Sequence, residues 1–271
     1  MKKKVMKEST AWQIGAHTVM IIGSLLAILP FILLVIASFT DNQTALVNGY
    51  SFTPEKWSLE AYQYIASEWA TIGRAYLMTI LVTVIGTALS LVITSTFAFA
   101  VSNDKLPGHK ILMFLCIFTM LFNGGLVASY YVYSNIFHIK NTIWALIVPT
   151  FLMSPFNVVL VKNYFSNSIS PSILEAARMD GAGVFAVFTK IVMPLSVPIM
   201  ATVGLMTAIS YWNDWTNGLY YLTENGGSQY YTIQLVLNRI NENTISWQIT
   251  RMWPRRLPNS CLPPRCVWQS L

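Results

Sequence analysis

Charge is what this chain has least of. Asp, Glu, Lys and Arg make up 10% of its 271 residues, where soluble domains carry roughly 25%. So little charge excludes a fold that faces water on every side. Cysteine and histidine are equally scarce, at three each. Cys116 lies inside an apolar run, while Cys261 and Cys266 stand in the tail. A Cys-x4-Cys pair with no further cysteine or histidine beside it is not a zinc spacing, and no disulfide framework follows. His17, His109 and His138 fall in separate stretches. No metal-ligand cluster and no nucleophile–base pair can be read from the chain. Gly-x4-Gly-Lys-Ser/Thr is missing as well, so nothing here cradles a nucleotide's phosphates. The sequence predicts no catalytic residue, no bound metal or cofactor, and no enzyme.

What the chain has instead is apolar surface: 54% of its residues are hydrophobic, and its mean hydropathy is +0.51. The apolar residues come in long runs. A large soluble core would show polar faces interrupting such runs at helical period. Five spans are predicted, at 17–39, 75–101, 111–133, 142–161 and 196–222. Each is about 20 residues or longer, enough for a hydrocarbon layer of ~30 Å at 1.5 Å per residue. The basic start, Lys2-Lys3-Lys4 with Lys7, has the charge of a secretory leader. The apolar run after it is too long for one, and no Ala-x-Ala site follows. An uncleaved first span is expected.

Basic residues then orient the spans. With residues 1–16 in the cytoplasm, the inner segments hold Lys2, Lys3, Lys4, Lys7, Lys105, Lys110, Lys162, Arg178 and Lys190. The outer ones hold Lys56, Arg74, Lys140 and Arg239. Nine against four satisfies the positive-inside rule. The formal charge of +6 does not indicate nucleic acid. Four arginines, Arg251, Arg255, Arg256 and Arg265, fall in the acid-free tail 251–271, leaving 13 basic residues against 11 acidic. No basic stripe interleaves with aromatics.

The longest inner loop, 163–195, has local features of its own. Ser172 with Glu175 three residues on reads as a capping box. Ala176, Ala177, Arg178 and Met179 favour helix. Gly181 permits the positive φ that closes a helix. Val184 to Phe188 is apolar yet too short to span, and Pro194 marks entry to the fifth helix. By itself this also fits an interfacial helix in which Glu175 only caps.

The spacing within that loop resembles a known family. Glu175-Ala176-Ala177, then Gly181 after three residues, Ile191 after nine more, then Val192-Met193-Pro194, is similar to the signature of permease subunits of ATP-binding-cassette importers. Met193 stands where that family has Leu, a volume-conserving change. Asn141-Thr142 through Pro149 resembles the MalG-like carbohydrate branch, as does Trp212-Asn213-Asp214-Trp215. Asn123-Gly124-Gly125-Leu126 resembles its complex-oligosaccharide members, which work with lipoprotein binding proteins; those often carry proline where Ala128 stands.

The resemblance covers roughly residues 10 to 250 and implies a type I importer permease fold, all-α, with six spans where five are legible. It implies a sugar or oligosaccharide substrate, a second permease as heterodimer partner, two ATPase subunits that hydrolyse the ATP, and an extracellular binding protein. In that family the loop docks on the ATPase, which drives the spans between inward- and outward-facing states. Glu175, Ala176, Ala177, Asp180, Gly181, Phe185, Phe188, Ile191 and Pro194 would form the docking element. Glu175 would face basic groups, and Phe185 and Phe188 would fill an apolar cleft.

Asn123, Asn157, Trp212, Asn213, Asp214 and Trp215 lie within apolar runs and are candidate path residues. Each also has an ordinary reading. Asparagine glues helices, tryptophan anchors at the interface, and Asp214 either faces the bundle or lies near the outer surface, since a charge in lipid is expensive. The outer segments 40–74 and 223–250 are candidate contacts for the binding protein, or simple connectors. The tail 251–271, rich in arginine and proline, breaks both the positive-inside pattern and the family-like text, and a reading-frame change near residue 250 is expected. That leaves a truncated, inactive copy as the alternative. A stand-alone secondary transporter is a further one, although it should show internal repeats and midplane ionisable residues.

Overall fold

A computed structural model describes residues 10–41, 44–45, 49–103, 106–122 and 124–252. Lys2, Lys3, Lys4, Lys7, Lys105, Asn123, Cys261, Cys266 and the tail beyond Met252 lie outside the described residues. The chain forms two units, 1–71 and 72–271. Among the described residues everything regular is helical except one antiparallel bridge, Thr40 with Trp57.

In the first unit, α1 (Thr10–Ser38) is apolar and exposed around its whole circumference, as a helix solvated by lipid is. The chain after it doubles back. Ser58 N donates to Phe39 O at 2.7 Å and Asp41 N to Lys56 O at 3.2 Å. Tyr62, on α2 (Glu60–Ser67), packs its ring against Phe39 at 5.2 Å and shares a hydrogen bond with Ser38 Oγ.

Nearly all of α3 (Trp69–Ser102) belongs to the second unit. It is followed by α4 (His109–Leu121), α5 (Gly125–Tyr131, prolonged as a π-helical turn to Ile136), α6 (Trp144–Ile147) and α7 (Pro155–Ser168). Next come α8 (Pro171–Met179), α9 (Val184–Val187, running on through a π-helical turn to Leu195), α10 (Val197–Trp212), α11 (Thr216–Tyr221) and α12 (Ile233–Met252). Among the described residues two helices are long and apolar enough to cross a bilayer alone, Trp12–Ser38 and Trp69–Ser102. There are four such spans if His109–Leu121 with Gly125–Ile136, and Val184–Leu195 with Val197–Trp212, each count as one.

The predicted fourth span is not a single helix. Val148 to Ser154 is irregular between α6 and α7. Pro149 has no N–H to donate, and Pro155 drives Ser154 to extended backbone (ψ 122°) while starting the next helix at its first position. The predicted fifth span, 196–222, is not a single helix either: α10 starts at Val197, after a 79° bend at Ser196, and ends at Trp212, with α11 a separate short helix beyond it. The outer connector expected at 223–250 is helical from Ile233 onward. Its first turn is fastened, with Leu235 fully buried and Ile233 N donating to Thr79 Oγ1 at 2.9 Å.

Two apolar clusters hold the second unit. One joins Ala98, Cys116, Val158, Val161, Val187 and Val203. The other gathers Val82, Leu146, Ile147, Tyr211, Leu222 and Leu235.

Candidate functional site

The loop between α7 and α10 is built locally. Pro171 opens α8, one residue before the expected cap, so the Ser172–Glu175 box does not form. Ser172 Oγ bonds Ser170 Oγ at 2.8 Å instead. The other end follows the sequence closely. Gly181 takes φ +79°, Asp180 N donates to Ala176 O at 3.0 Å, and Ala182 N reaches back to Ala177 O at 2.9 Å. A six-to-one bond across a left-handed glycine is the Schellman closure of a helix. Ala176 and Ala177 thus supply the carbonyls on which the turn is hung.

The closed helix rests on the first apolar cluster through Leu174, Ala177 and Ala182, and α9 is rooted there by buried Val187 and Val192. The side chains the loop leaves outward include large apolar and acidic ones, with Lys190 exposed as well. Met179 is 88% exposed and Phe185 78%, with Glu175, Asp180 and Pro194 also exposed. Glu175 borders a cavity of about 230 Å³ walled by Phe99, Phe165, Ile169, Leu174 and Val192. The structure separates the two phenylalanines that the sequence groups together. Phe185 points out, whereas Phe188 is half-buried with its ring 5.1 Å from that of Phe99 on α3, so it anchors the loop to the bundle. Ile191 is half-buried beside it.

The candidate path residues do not gather into one site. Asn123 lies outside the described residues. Asn157 is buried and donates to Thr207 Oγ1 at 3.3 Å, tying α7 to α10. Trp212 and Trp215 are 38% and 40% exposed. Asn213 donates to Ile209 O at 3.0 Å and accepts from Gln234 Nε2 at 3.4 Å.

Asp214 is buried and its carboxylate is fully engaged. Oδ1 accepts from the N–H groups of Thr216 and Asn217, and Oδ2 accepts from Asn217 Nδ2 at 2.8 Å. It stands one residue before the N-cap position of α11, Trp215, where its carboxylate does a cap's work, and its own carbonyl accepts from Thr232 Oγ1 at 3.4 Å. Asp followed three residues on by Asn at a helix start was the available signal, since Asp is a preferred N-cap. Asp214→Ala strips two backbone donors and Asn217 of their acceptor in a buried place. The expected cost is about 1–3 kcal/mol, read as a lower unfolding midpoint of the detergent-extracted protein. A midpoint equal to wild type would remove the capping role. Among the described residues no group of three His, Cys, Asp or Glu could hold a metal ion.

A bundle of broken apolar helices carrying an anchored outward loop between α7 and α10 defines a polytopic membrane permease. The chain belongs to the family described as binding-protein-dependent transport system inner membrane component, whose profile matches residues 89–253. It is 38% identical over 217 residues to the polygalacturonan/rhamnogalacturonan transport system permease protein YtcP of Bacillus subtilis, covering 80% of this chain and 73% of that one. Protein LplC of Bacillus subtilis is 34% identical over 215 residues, 79% of this chain and 70% of the relative. The diacetylchitobiose uptake system permease protein NgcG of Streptomyces coelicolor is 26% identical, covering 73% of this chain and 65% of its own. Among solved structures, a bacterial ABC transporter involved in the import of the acidic polysaccharide alginate matches with a TM-score of 0.74 and 28% identity, over 84% of this chain and 79% of that one. The chain is therefore a multi-pass plasma-membrane permease subunit of an ATP-driven importer, and membership implies an ATPase and a substrate-binding protein as partners.

Proposed function

We propose that this permease imports an oligosaccharide, with residues 1–16 in the cytoplasm and the loop 163–195 docked on an ATPase subunit. The assembly is a heterodimer with a second permease, served by two ATPase subunits and an extracellular binding protein held as a lipoprotein. Segments 17–222 form the transmembrane domain, and the outer segments face the binding protein. This chain does no chemistry itself. ATP is hydrolysed by the partner subunits, and the loop converts closure of the ATPase pair into alternation of the spans. An oligosaccharide is supported by relatives named for polygalacturonan, rhamnogalacturonan and diacetylchitobiose.

The observation that carries docking is the exposed face of Met179 and Phe185 on a helix-turn element rooted in the core. An anchored element that shows large apolar side chains to its surroundings is built to be covered. Glu175 and Asp180 at its margin suit a basic rim. In the assembled complex, Phe185→Glu places a charge in that contact. Capture of the purified ATPase subunit should weaken by roughly 30-fold, the loss of one interface hot spot, and uptake should fall with it. Undiminished capture, or labelling of a cysteine at position 185 by an impermeant reagent from outside intact cells, would count against docking at this loop.

A further inference from the structure

The irregular stretch Val148 to Ser154 frees backbone carbonyls in an apolar surrounding, which is tolerated only where other groups satisfy them. Three side chains from three helices do so. Tyr211 OH on α10 donates to Ile147 O at 2.8 Å, Asn217 Nδ2 on α11 to Pro149 O at 3.4 Å, and Ser90 Oγ on α3 to Phe151 O at 3.2 Å. Asn217 is aimed by its bond to Asp214. Tyr211 is seated against Gly86, where any Cβ would stand 2.6 Å from its ring, and it meets Phe151 edge-on at 5.3 Å.

At the centre of the stretch the backbone is strained. Phe151 N bonds Pro149 O at 2.8 Å around Thr150, whose φ is +72°. This three-residue turn has the positive φ of the rare form, and a β-branched residue there is a genuine outlier. Such strain persists only when the surroundings over-determine it, and it collects at switch regions.

The lever lies in α10. Its first end follows the docking loop across the bend at Ser196, and Tyr211 stands one residue from its other end, roughly 22 Å away at 1.5 Å per residue. We propose that 148–154 is a two-position element of the transport cycle, and that Ser90, Tyr211 and Asn217 are the positioning residues that hold it in the position seen here. Motion delivered to the loop travels along α10 and withdraws the Tyr211 hydroxyl. The stretch then relaxes as Thr150 leaves its strained conformation. This rests on the reading that the loop grips an ATPase.

The test uses the complete importer in proteoliposomes, reading ATP hydrolysis without binding protein and sugar imported per ATP. Tyr211→Phe keeps the ring on Gly86 and removes only the donor. Basal hydrolysis should rise and sugar per ATP should fall, each by roughly 2- to 10-fold, the population change set by one buried hydrogen bond. Thr150→Gly relaxes the turn in place and favours the held position, so basal hydrolysis should fall by roughly threefold or more. Opposite signs from two variants are not what general loosening produces. Two variants matching wild type, or both moving the same way, overturn the proposal. If Tyr211→Phe fails to assemble, Ser90→Ala removes a second donor with the same expected sign, and its silence counts equally against. Wild-type vesicles importing without ATP would remove the docking reading and this proposal together; coupled wild-type import with silent variants removes this proposal alone.

Discussion

Gly181→Val should lower ATP-driven uptake at least about tenfold while the helices of the permease remain folded. The reason is conformational, because a Cβ at this position meets no atom within 4 Å. The backbone there holds φ +79°, a region that costs an ordinary residue about 1–2 kcal/mol and a β-branched one more. Valine relieves that by leaving the left-handed region, which breaks the bond from Ala182 N to Ala177 O and re-aims everything from Gly183 to Phe185. The packing of Leu174, Val187 and Val192 on the core stays intact, so the chain should reach the membrane in normal amount. On the proposed docking, a misdirected loop leaves hydrolysis unconnected to transport, with uptake down at least about tenfold, the effect of losing about 1.4 kcal/mol of productive coupling. Asparagine tolerates the same φ, so Gly181→Asn should retain most of the activity. Labelled-sugar uptake and ATP hydrolysis in the same vesicles measure both. Full uptake in Gly181→Val would show that the turn has no part in coupling.

The second large effect is expected at Gly86, in the middle of α3. An added Cβ would stand 2.6 Å from Tyr211 Cζ and 2.8 Å from both Cε atoms. Tyr211 cannot swing aside cheaply, being fully buried, bonded to Ile147 O and packed on Phe151. Gly86→Ala should therefore cost about 1–3 kcal/mol of overpacking and about 1 kcal/mol more for the displaced hydrogen bond. Gly86→Leu should yield no assembled permease. Gly204→Ala is the control, since its Cβ would meet only the flexible tip of Leu91 at 3.2 Å. Unfolding midpoints of the extracted proteins give the order, with Gly86→Ala well below Gly204→Ala. An equal pair would show that the α3–α10 approach is looser than these distances.

The backbone course of the loop 163–195 was legible because its helix and turn are settled within a dozen residues. A helix-forming run, a glycine that closes it, and a short apolar piece after it are local facts, whereas the cap at Ser172 does not form and Phe188 turns inward. Phe188 packs on Phe99, a ring 89 positions earlier that no local pattern brings to it. The candidate path residues fared differently. Residue type alone could not tell that Asn157 is bound to Thr207, whereas Asp214, three residues before Asn217, carried a local capping signal.

Hydropathy by itself determined that the chain lives in a bilayer as helices, because unpaired backbone in lipid leaves only helices and closed barrels, and continuous apolar runs of about 20 residues are a helix's pattern rather than a barrel strand's. Spacing in one loop carried the resemblance to the family, and the left-handed turn at Gly181 is the local feature at its centre. The tertiary structure decided where the spans break and what repairs them. The repairs join residues 61, 64, 68 and 154 positions apart, in Ser90 to Phe151, Tyr211 to Ile147, Asn217 to Pro149 and Ile233 to Thr79. Proline and glycine announce that a helix is able to stop. Which distant hydroxyl or amide is near enough to pair with the freed carbonyl or N–H depends on how whole helices pack, and no local pattern encodes it.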